Sequence, residues 1–499
     1  MQKVKCADRA LLRSPVFINL LARALALDWR SNMPNLANLL QMLLWIGVVI
    51  AVFNVIIFVH ELGHFLAAKW RGLKIERFQI WFGRPIWKKE IDGVQFGLGW
   101  IPAGGFVALP QMAPMDAIEG GDSERAPLPP VTPLDKIIVA FAGPLFSMLL
   151  AMAAAIAVWQ IGKPADFIPS QEVGYLVPGS PAEKAGLKIG DKITAINGEE
   201  VNGFAGSLNS ISERIILSRG KQITFTVERP GEAKPLELSS GFETEKSHWY
   251  QRRGLRQVGI DPAGPAVVGD ISPNSPAADA ELVKGDRVIR IDGLMHFSQY
   301  LRDKNWQTVR IAVQSTDGQV RELDITPERP LQPSGMDPKI GIIWDSRAEI
   351  DSRLIKPSPL RQVSDSLHMT WVTITSVIAP DSNIGVDHLS GPVGIAKMQY
   401  QLLQTEEGWR RILAFMVLFN VNLAVLNMLP FPVLDGGHIT LAFFEKIFGR
   451  PIKARPLEIL QSICAMLLIG LMIYITSKDI GDGFGRNSGK SQEIIFPAD

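Results

Sequence analysis

The sequence predicts a multipass α-helical membrane protein, with four transmembrane helices, a β-hairpin region after the first span and two inserted α+β units. Three observations carry that class. Hydrophobic residues make up 47% of the 499, and they gather into four long runs, two near each end, as in multipass membrane proteins. Charged residues keep to the connections between the runs. The stretch between the second and third runs has ordinary soluble composition and contains an internal repeat, which is the first feature to seek in a long chain.

A formal net charge of +1 leaves no basic footprint for nucleic acid. The two cysteines, Cys6 and Cys464, lie in an N-terminal tail and an apolar run. That placement argues against a disulfide framework and excludes multi-cysteine zinc sites, leaving His and carboxylate as the available metal ligands.

The first span, within residues 34–70, has no charged residue from Pro34 to Val59 and closes on "VHELGHFLAAKW". About 20 such residues suffice to cross the hydrocarbon. The second span, within residues 133–162, carries Gly143-Pro144 near its start and small residues at its centre. The third, within 408–436, contains Asn420, Asn422 and Asn427 and is stopped by Pro430 and Pro432. The fourth lies within 456–477, followed by a tail at 478–499. Lys69, Arg71, Lys74, Arg77, Arg84, Lys88 and Lys89 follow the first span, and Lys446, Arg450, Lys453 and Arg455 follow the third. By the positive-inside rule both connections, 71–132 and 437–455, are cytoplasmic, and the large insert and the C-terminal tail lie outside. Residues 1–33 conflict with that orientation, since they carry Lys3, Lys5, Arg9, Arg13, Arg23 and Arg30. They read as a leader, with Met33 or Met42 as the working start, or as an added element before the first span.

Inside the insert, "SPAEKAGLKIGDKITAINGEEV" begins at Ser180 and "SPAADAELVKGDRVIRIDGLMH" at Ser275. Ser-Pro-Ala, Gly-Asp and an Asn/Asp-Gly turn recur at one constant offset. Each copy reads as a short helix with Pro in its first turn, a Gly-Asp turn and an alternating strand. "ITFTVERPG" and "VRIAVQSTDG" supply a later strand to each. The pattern resembles the PDZ domain in its circularly permuted bacterial form, with units at 165–255 and 256–345. A linker and amphipathic segment, 346–407, follows.

The chemistry gathers at the end of the first span. His60-Glu61-Leu62-Gly63-His64 is an H-E-x-x-H match. On a helix both imidazoles share one face, so they can reach one ion while Glu61 stands beside them. Ionisable groups at membrane depth are expensive and default to a functional reading. A metal would satisfy the imidazoles and lower the pKa of a bound water, whose proton Glu61 could take. Zinc needs a further ligand, and the first span and its following loop offer none. In the third span "NMLPFPVLDGGH" puts Asp435 after a double proline break, where irregular backbone would line a cavity. A solvated turn is the alternative for Asp435, and His438 is a competing ligand.

H-E-x-x-H in a first span, with Asn427, Pro430, Pro432, Leu434, Asp435 and Gly436 matching N-x-x-P-x-P-x-L-D-G in a later one, resembles the site-2 protease family of intramembrane zinc metalloproteases. The tandem units make it resemble the family's Gram-negative branch that acts in the sigma-E envelope stress response. It covers residues from about 40 to 480 and departs in the basic N-terminal extension. The resemblance implies one Zn2+ held by His60, His64 and Asp435, with Glu61 as catalytic acid/base. It implies that Asn422 and Asn427 hold the substrate backbone, although hydrogen bonding to neighbouring helices is the plain alternative for an amide in a span. The stretch from Phe78 to Leu109 alternates and turns at Asp92-Gly93, which reads as a β-hairpin. It resembles the family's membrane-re-entrant β-loop, whose edge pairs with an extended substrate. Gly97 and Gly99, and likewise Gly104-Gly105, would allow close backbone approach. "LSGPVGIAKM" also matches a family segment, with no chemistry assigned.

The family implies substrates that are single-span membrane proteins, such as a pre-trimmed anti-sigma factor, and also remnant signal peptides. It implies residence in the bacterial inner membrane, with periplasmic PDZ units and an active site toward the cytoplasmic side. The PDZ pair could capture peptides or exclude bulky substrates. A membrane-anchored PDZ scaffold with a vestigial metal site is the rival reading, against which the intact Glu61 speaks. A transporter relay is a second rival, but it would need inverted repeats across the spans, and none is seen.

Overall fold

The computed structural model describes residues 36–112, 131–291, 306–332, 338–345, 348, 350–449, 454–485 and 494–497. Residues 1–33, the second half of the loop after the first span, the Asp292-Gly293 turn, and Arg450 with Lys453 lie outside the described residues. The chain divides within its first helix into a unit ending at Val55 and a unit Ile56–Asp499. In the first unit the helix is apolar, and Asn54 donates from Nδ2 to the Ile50 carbonyl within its own turn.

Four helices are long and apolar enough to cross a membrane, with candidate spans Ala37–Arg71, Pro133–Ile161, Gly408–Asn427 and Pro456–Asp482. They belong to α1 (Leu36–Arg71), α2 (Pro133–Ile161), α5 (Gly408–Asn427) and α7 (Ala454–Gly485). Between them come α3 (Pro359–Ile378), α4 (Pro392–Leu403) and α6 (Asp435–Phe448).

Local chemistry sets the ends of these helices. Gly72 stops α1 with φ 71°, and the Leu73 N–H returns to the Ala68 carbonyl at 3.0 Å, a left-handed cap that glycine adopts without strain. Thr132 and Asp135 form a reciprocal capping box at the start of α2, with Pro133 in its first turn. Arg71 then reaches Asp135 at 2.6 Å, joining the end of α1 to the start of α2. Deeper in the bundle, Ala151, Ala154 and Ala155 of α2 pack on Val363 of α3 and on Val417 and Val421 of α5.

The third apolar run is broken in two. Helix α5 stops at Asn427, the Pro430 and Pro432 segment turns back, and α6 begins at Asp435. The sequence reading placed Asp435 in irregular backbone and 437–455 in a loop. Leu434 is instead the extended N-cap and Asp435 the first helical residue, where the helix dipole favours an acid. The tight return needs Gly436 and Gly437, because a Cβ at either would fall 2.2 or 2.0 Å from the carbonyl oxygens of Met428 and Phe431.

After α1 the chain forms a four-stranded sheet of β1 (Arg77–Phe82), β2 (Trp87–Ile91), β3 (Val94–Leu98) and β4 (Ile101–Ala108), in the order β2-β3-β1-β4. The hairpin expected at Asp92-Gly93 is the β2–β3 pair, but β3 continues into a parallel pairing with β1, and β4 closes on β1's other side. Phe78 meets Phe58 and Phe65 edge to face, which seats the sheet on the last turns of α1.

The insert holds two α+β cores. One is built on the strands Lys192–Ile196 and Ile223–Glu228, the other on Val309–Gln314. Ser180 and Ser275 cap the short helices that follow them. Each Gly-Asp turn buries its carboxylate on an arginine: Asp191 on Arg229 at 2.7 Å and Asp286 on Arg321 at 2.6 Å. The expected boundary at 255/256 moves. The strand Ile260–Pro262 pairs with Val173–Leu176, and Val258 belongs to the first core, so the first unit reaches Pro262.

Candidate metal centre

His60, Glu61 and His64 lie on α1, His60 buried and the other two half-buried, with the two imidazoles four residues apart. Helix α6 brings its first residue to them. His60 Nε2 lies 3.3 Å from Asp435 Oδ2, and His64 Nε2 lies 3.3 Å from Asp435 Oδ1. The two Nε2 atoms are themselves 3.3 Å apart. One ligand atom from each of the three residues falls within 4.8 Å of the others.

Each ring is held from its far side by a partner on α2. His64 donates from Nδ1 to the Val139 carbonyl at 2.8 Å. That bond leaves Nε2 unprotonated in the neutral ring, with its lone pair toward Asp435. His60 Nδ1 is hydrogen-bonded to the Ser147 hydroxyl at 2.9 Å. Asp435 Oδ2 is buried and receives no hydrogen bond, although His60 Nε2 is close. Two imidazole nitrogens and a carboxylate thus converge within reach of one ion, an arrangement that a cation satisfies. Two imidazoles and one carboxylate are zinc's ligand set when a position is left open for chemistry.

The space for the ring of His64 comes from α2. A Cβ at Gly143 would stand 2.1 Å from His64 Nε2, and one at Gly63 would stand 2.4 Å from the Ala142 carbonyl oxygen. Ser147, the Val139 carbonyl and Gly143 all support the site, and the sequence reading missed them. The only prior signal was the small-residue character of the second span.

A cavity of about 700 Å3 opens beside the three residues. Glu61 lines it, as do Asn427, His438 and the stretch Gly104–Leu109 of β4 and its continuation. Strand β4 pairs with β1 on one side, and its other edge carries no strand among the described residues. Gly105 sets this strand close to α1, since a Cβ there would lie 2.9 Å from Ile57 Cγ2 and 3.2 Å from Glu61 Cγ.

Three expected substrate contacts move. Gly97 lies in β3, an interior strand whose backbone is paired with β1 and β2, so it presents no free edge. Gly99 donates from its N–H to the Ile80 carbonyl, and a Cβ there would fall 2.3 Å from the Phe82 oxygen, so its role is packing within the sheet. The edge strand at the cavity is β4. Asn422 accepts a hydrogen bond from the Thr370 hydroxyl of α3 through Oδ1 and does not line the cavity. The helix-to-helix alternative holds for it. Asn427 does reach the site, with Nδ2 at 3.2 Å from His60 Nε2. His438, one turn after Asp435, lines the cavity but is not among the three converging residues.

The sequence as a whole agrees with this geometry. Residues 48–471 match the model of peptidase family M50. The chain is 27% identical over 459 residues to protease RseP of Yersinia pestis, covering 87% of this chain and 98% of that one. It is 27% identical over 459 residues to the regulator of sigma-E protease RseP of Escherichia coli strain K12, covering 85% and 95%. It is 29% identical over 425 residues to a protein of Neisseria meningitidis serogroup A whose name marks it as a candidate zinc metalloprotease, covering 80% and 91%.

Proposed function

The chain belongs to peptidase family M50 and is a membrane metalloprotease that uses zinc; from that premise we propose that it cleaves peptide bonds inside the transmembrane segments of single-span proteins. The observation that carries the reading is the convergence of His60, His64 and Asp435 at a cavity that Glu61 also lines. In this reading the three hold one Zn2+, which serves as a Lewis acid when bound. Glu61 takes a proton from the attacking water and delivers it to the leaving amine. Asn427 holds a substrate carbonyl or its own ring partner His60 in place.

A helical substrate hides its amides, so it must unwind and find new partners for them. The unpaired edge of β4 offers those partners by strand addition. The sheet is then the re-entrant element, with Gly104 and Gly105 as the glycines that let a substrate strand approach, in place of Gly97 and Gly99. The basic connections after the first and third spans support an inner-membrane orientation with both α+β units in the periplasm. We read those units as a tandem PDZ pair above the active site. The relatives named for sigma-E regulation support an envelope stress role, with a pre-trimmed anti-sigma factor as the first substrate class and remnant signal peptides as the second.

The test is cleavage of a tagged single-span substrate by the purified protein in detergent. Glu61→Gln is expected to abolish cleavage while zinc is retained. Cleavage at the wild-type rate by Glu61→Gln would contradict the assignment, and peptide capture without cleavage by the wild-type protein would favour the scaffold reading.

A further inference from the structure

A distant segment of the chain is seated on the second α+β unit. Ile495 pairs antiparallel with Gln332. Its N–H donates to the Gln332 carbonyl at 3.2 Å, and its carbonyl accepts from the N–H of Leu331 at 2.7 Å and of Gln332 at 3.4 Å. The next residue, Phe496, is 2% exposed. Its ring edge stands 3.2 Å from where a Cβ on Gly341 would be, next to Ser275. Pro497 has no N–H to continue the ladder, and it biases Phe496 toward the extended backbone that this docking uses.

The internal repeat supplies the equivalent position in the first unit, where no outside ring is seated among the described residues. In the first unit the N–H of Val177 donates to the Gly259 carbonyl at 2.9 Å; in the second the N–H of Ser272 donates to the Gly341 carbonyl at 2.9 Å. Ala182 with Val258 and Ala277 with Ile340 form a second matching pair. Gly259 and Gly341 are therefore equivalent, with φ of 82° and 83°. Beside Gly259 stands the capping serine Ser180 and, at 3.2 Å, the Cβ of that unit's own Val177. Beside Gly341 stands the equivalent Ser275 and, at the same 3.2 Å, the ring of Phe496. Where the first unit carries Val177 the second carries the smaller Ser272, and a ring from outside the unit lies against Gly341.

We propose that this pocket is a peptide-binding site, and that Ile494–Pro497 is its intramolecular ligand. The ligand class is an extended segment carrying Phe before Pro, recognised by strand pairing at Leu331-Gln332 and burial of the ring against Gly341 and Ser275. While the chain's own segment is docked, the site is closed to peptides from other chains. The inference does not rest on the protease reading.

Two measurements test it. The first places Gln332→Cys and Ile495→Cys in a full chain that also carries Cys6→Ser and Cys464→Ser. Residues that exchange both backbone hydrogen bonds have Cα atoms about 5.5 Å apart, within the range a disulfide spans, so mild oxidation is expected to join them. The second measures binding of a fluorescent peptide of residues 491–499 to the full chain and to a chain ending at residue 493. A tethered ligand has an effective concentration on the order of 1 mM, so a peptide of roughly 0.1 mM intrinsic affinity should bind the shortened chain about tenfold more tightly. A peptide with Phe496→Ala should not bind. If the shortened chain aggregates, the full chain with Phe496→Ala makes the same comparison. Absence of the disulfide, equal binding to the two chains, or no binding to either overturns the proposal.

Discussion

Replacing Gly143 by alanine attacks the metal centre from a helix that contributes no ligand. The new Cβ would stand 2.1 Å from His64 Nε2 and 2.5 Å from Cε1, where ordinary contact begins at 3.4 Å. The ring would have to withdraw by about 1.3 Å, whereas a zinc ligand keeps its distance to about 0.2 Å. Retreat is opposed by the bond from His64 Nδ1 to the Val139 carbonyl, made by the same helix that carries Gly143. Overpacking of this kind costs about 1–3 kcal/mol. Loss of a group that merely orients a ligand lowers metal affinity about 10- to 100-fold, and displacing the ligand itself should exceed that. The assay is zinc content after dialysis against a weak chelator, with cleavage of a single-span substrate alongside. Gly470→Ala is the control, since nothing lies within 4 Å of a Cβ there. Gly143→Ala is expected to lose both zinc and cleavage while Gly470→Ala keeps them. A Gly143→Ala protein with wild-type zinc and cleavage would refute the geometry.

Further outcomes follow from individual contacts. Ser147→Ala removes the partner of His60 Nδ1 and is expected to weaken zinc retention about 10- to 100-fold in a chelator titration; unchanged retention would deny the orienting role. The two asparagines should separate: Asn422→Ala breaks the bond from Thr370 and is expected to cost about 1 kcal/mol of stability with cleavage intact, whereas Asn427→Ala, beside His60, should lower cleavage about tenfold or more. The reverse pattern in melting temperature and rate would sink the distinction. In the extramembrane region Arg253 grips Asp387 through Nε at 3.0 Å and Nη2 at 2.8 Å, which holds that carboxyl well below the usual carboxylate range. The unfolded chain therefore takes up the proton first as acid is added. The stability from this pair is complete above about pH 4, the unfolded value, and is lost as the pH falls from there toward the depressed folded value. The melting-temperature gap between wild type and Asp387→Asn should shrink below pH 4, and a gap constant down to pH 3 would contradict the ion pair.

Much of this arrangement could be read from the chain because it is local. The four spans follow from apolar runs, and the facing imidazoles follow from a four-residue step on a helix. The repeat shows the short helices that start after Ser180 and Ser275 and the turns at Gly190-Asp191 and Gly285-Asp286, whose backbone hydrogen bonds stay within a few residues; the arginines that bury Asp191 and Asp286 come from farther along the chain. What escaped depends on contacts between distant segments. Alternation around Asp92-Gly93 reveals a hairpin, but it cannot reveal that β1 slips in parallel beside β3 and leaves β4 at the cavity. The start of α6 at Asp435 was hidden by two prolines that read as a break without saying where the helix resumes. Ser147, Gly143 and the Val139 carbonyl act only across the interface between α1 and α2. Phe496 finds its pocket on a unit that ends well before it in the chain.

The central claim is that two residues of α1 and the first residue of α6 hold one divalent ion. Zinc stoichiometry of the purified protein beside its Asp435→Ala variant, by elemental mass spectrometry, tests it most directly. The expected result is about one zinc per chain in the wild type and nearly none in the variant, as removal of one of three protein ligands demands. A folded Asp435→Ala protein that keeps its full complement of zinc would contradict it.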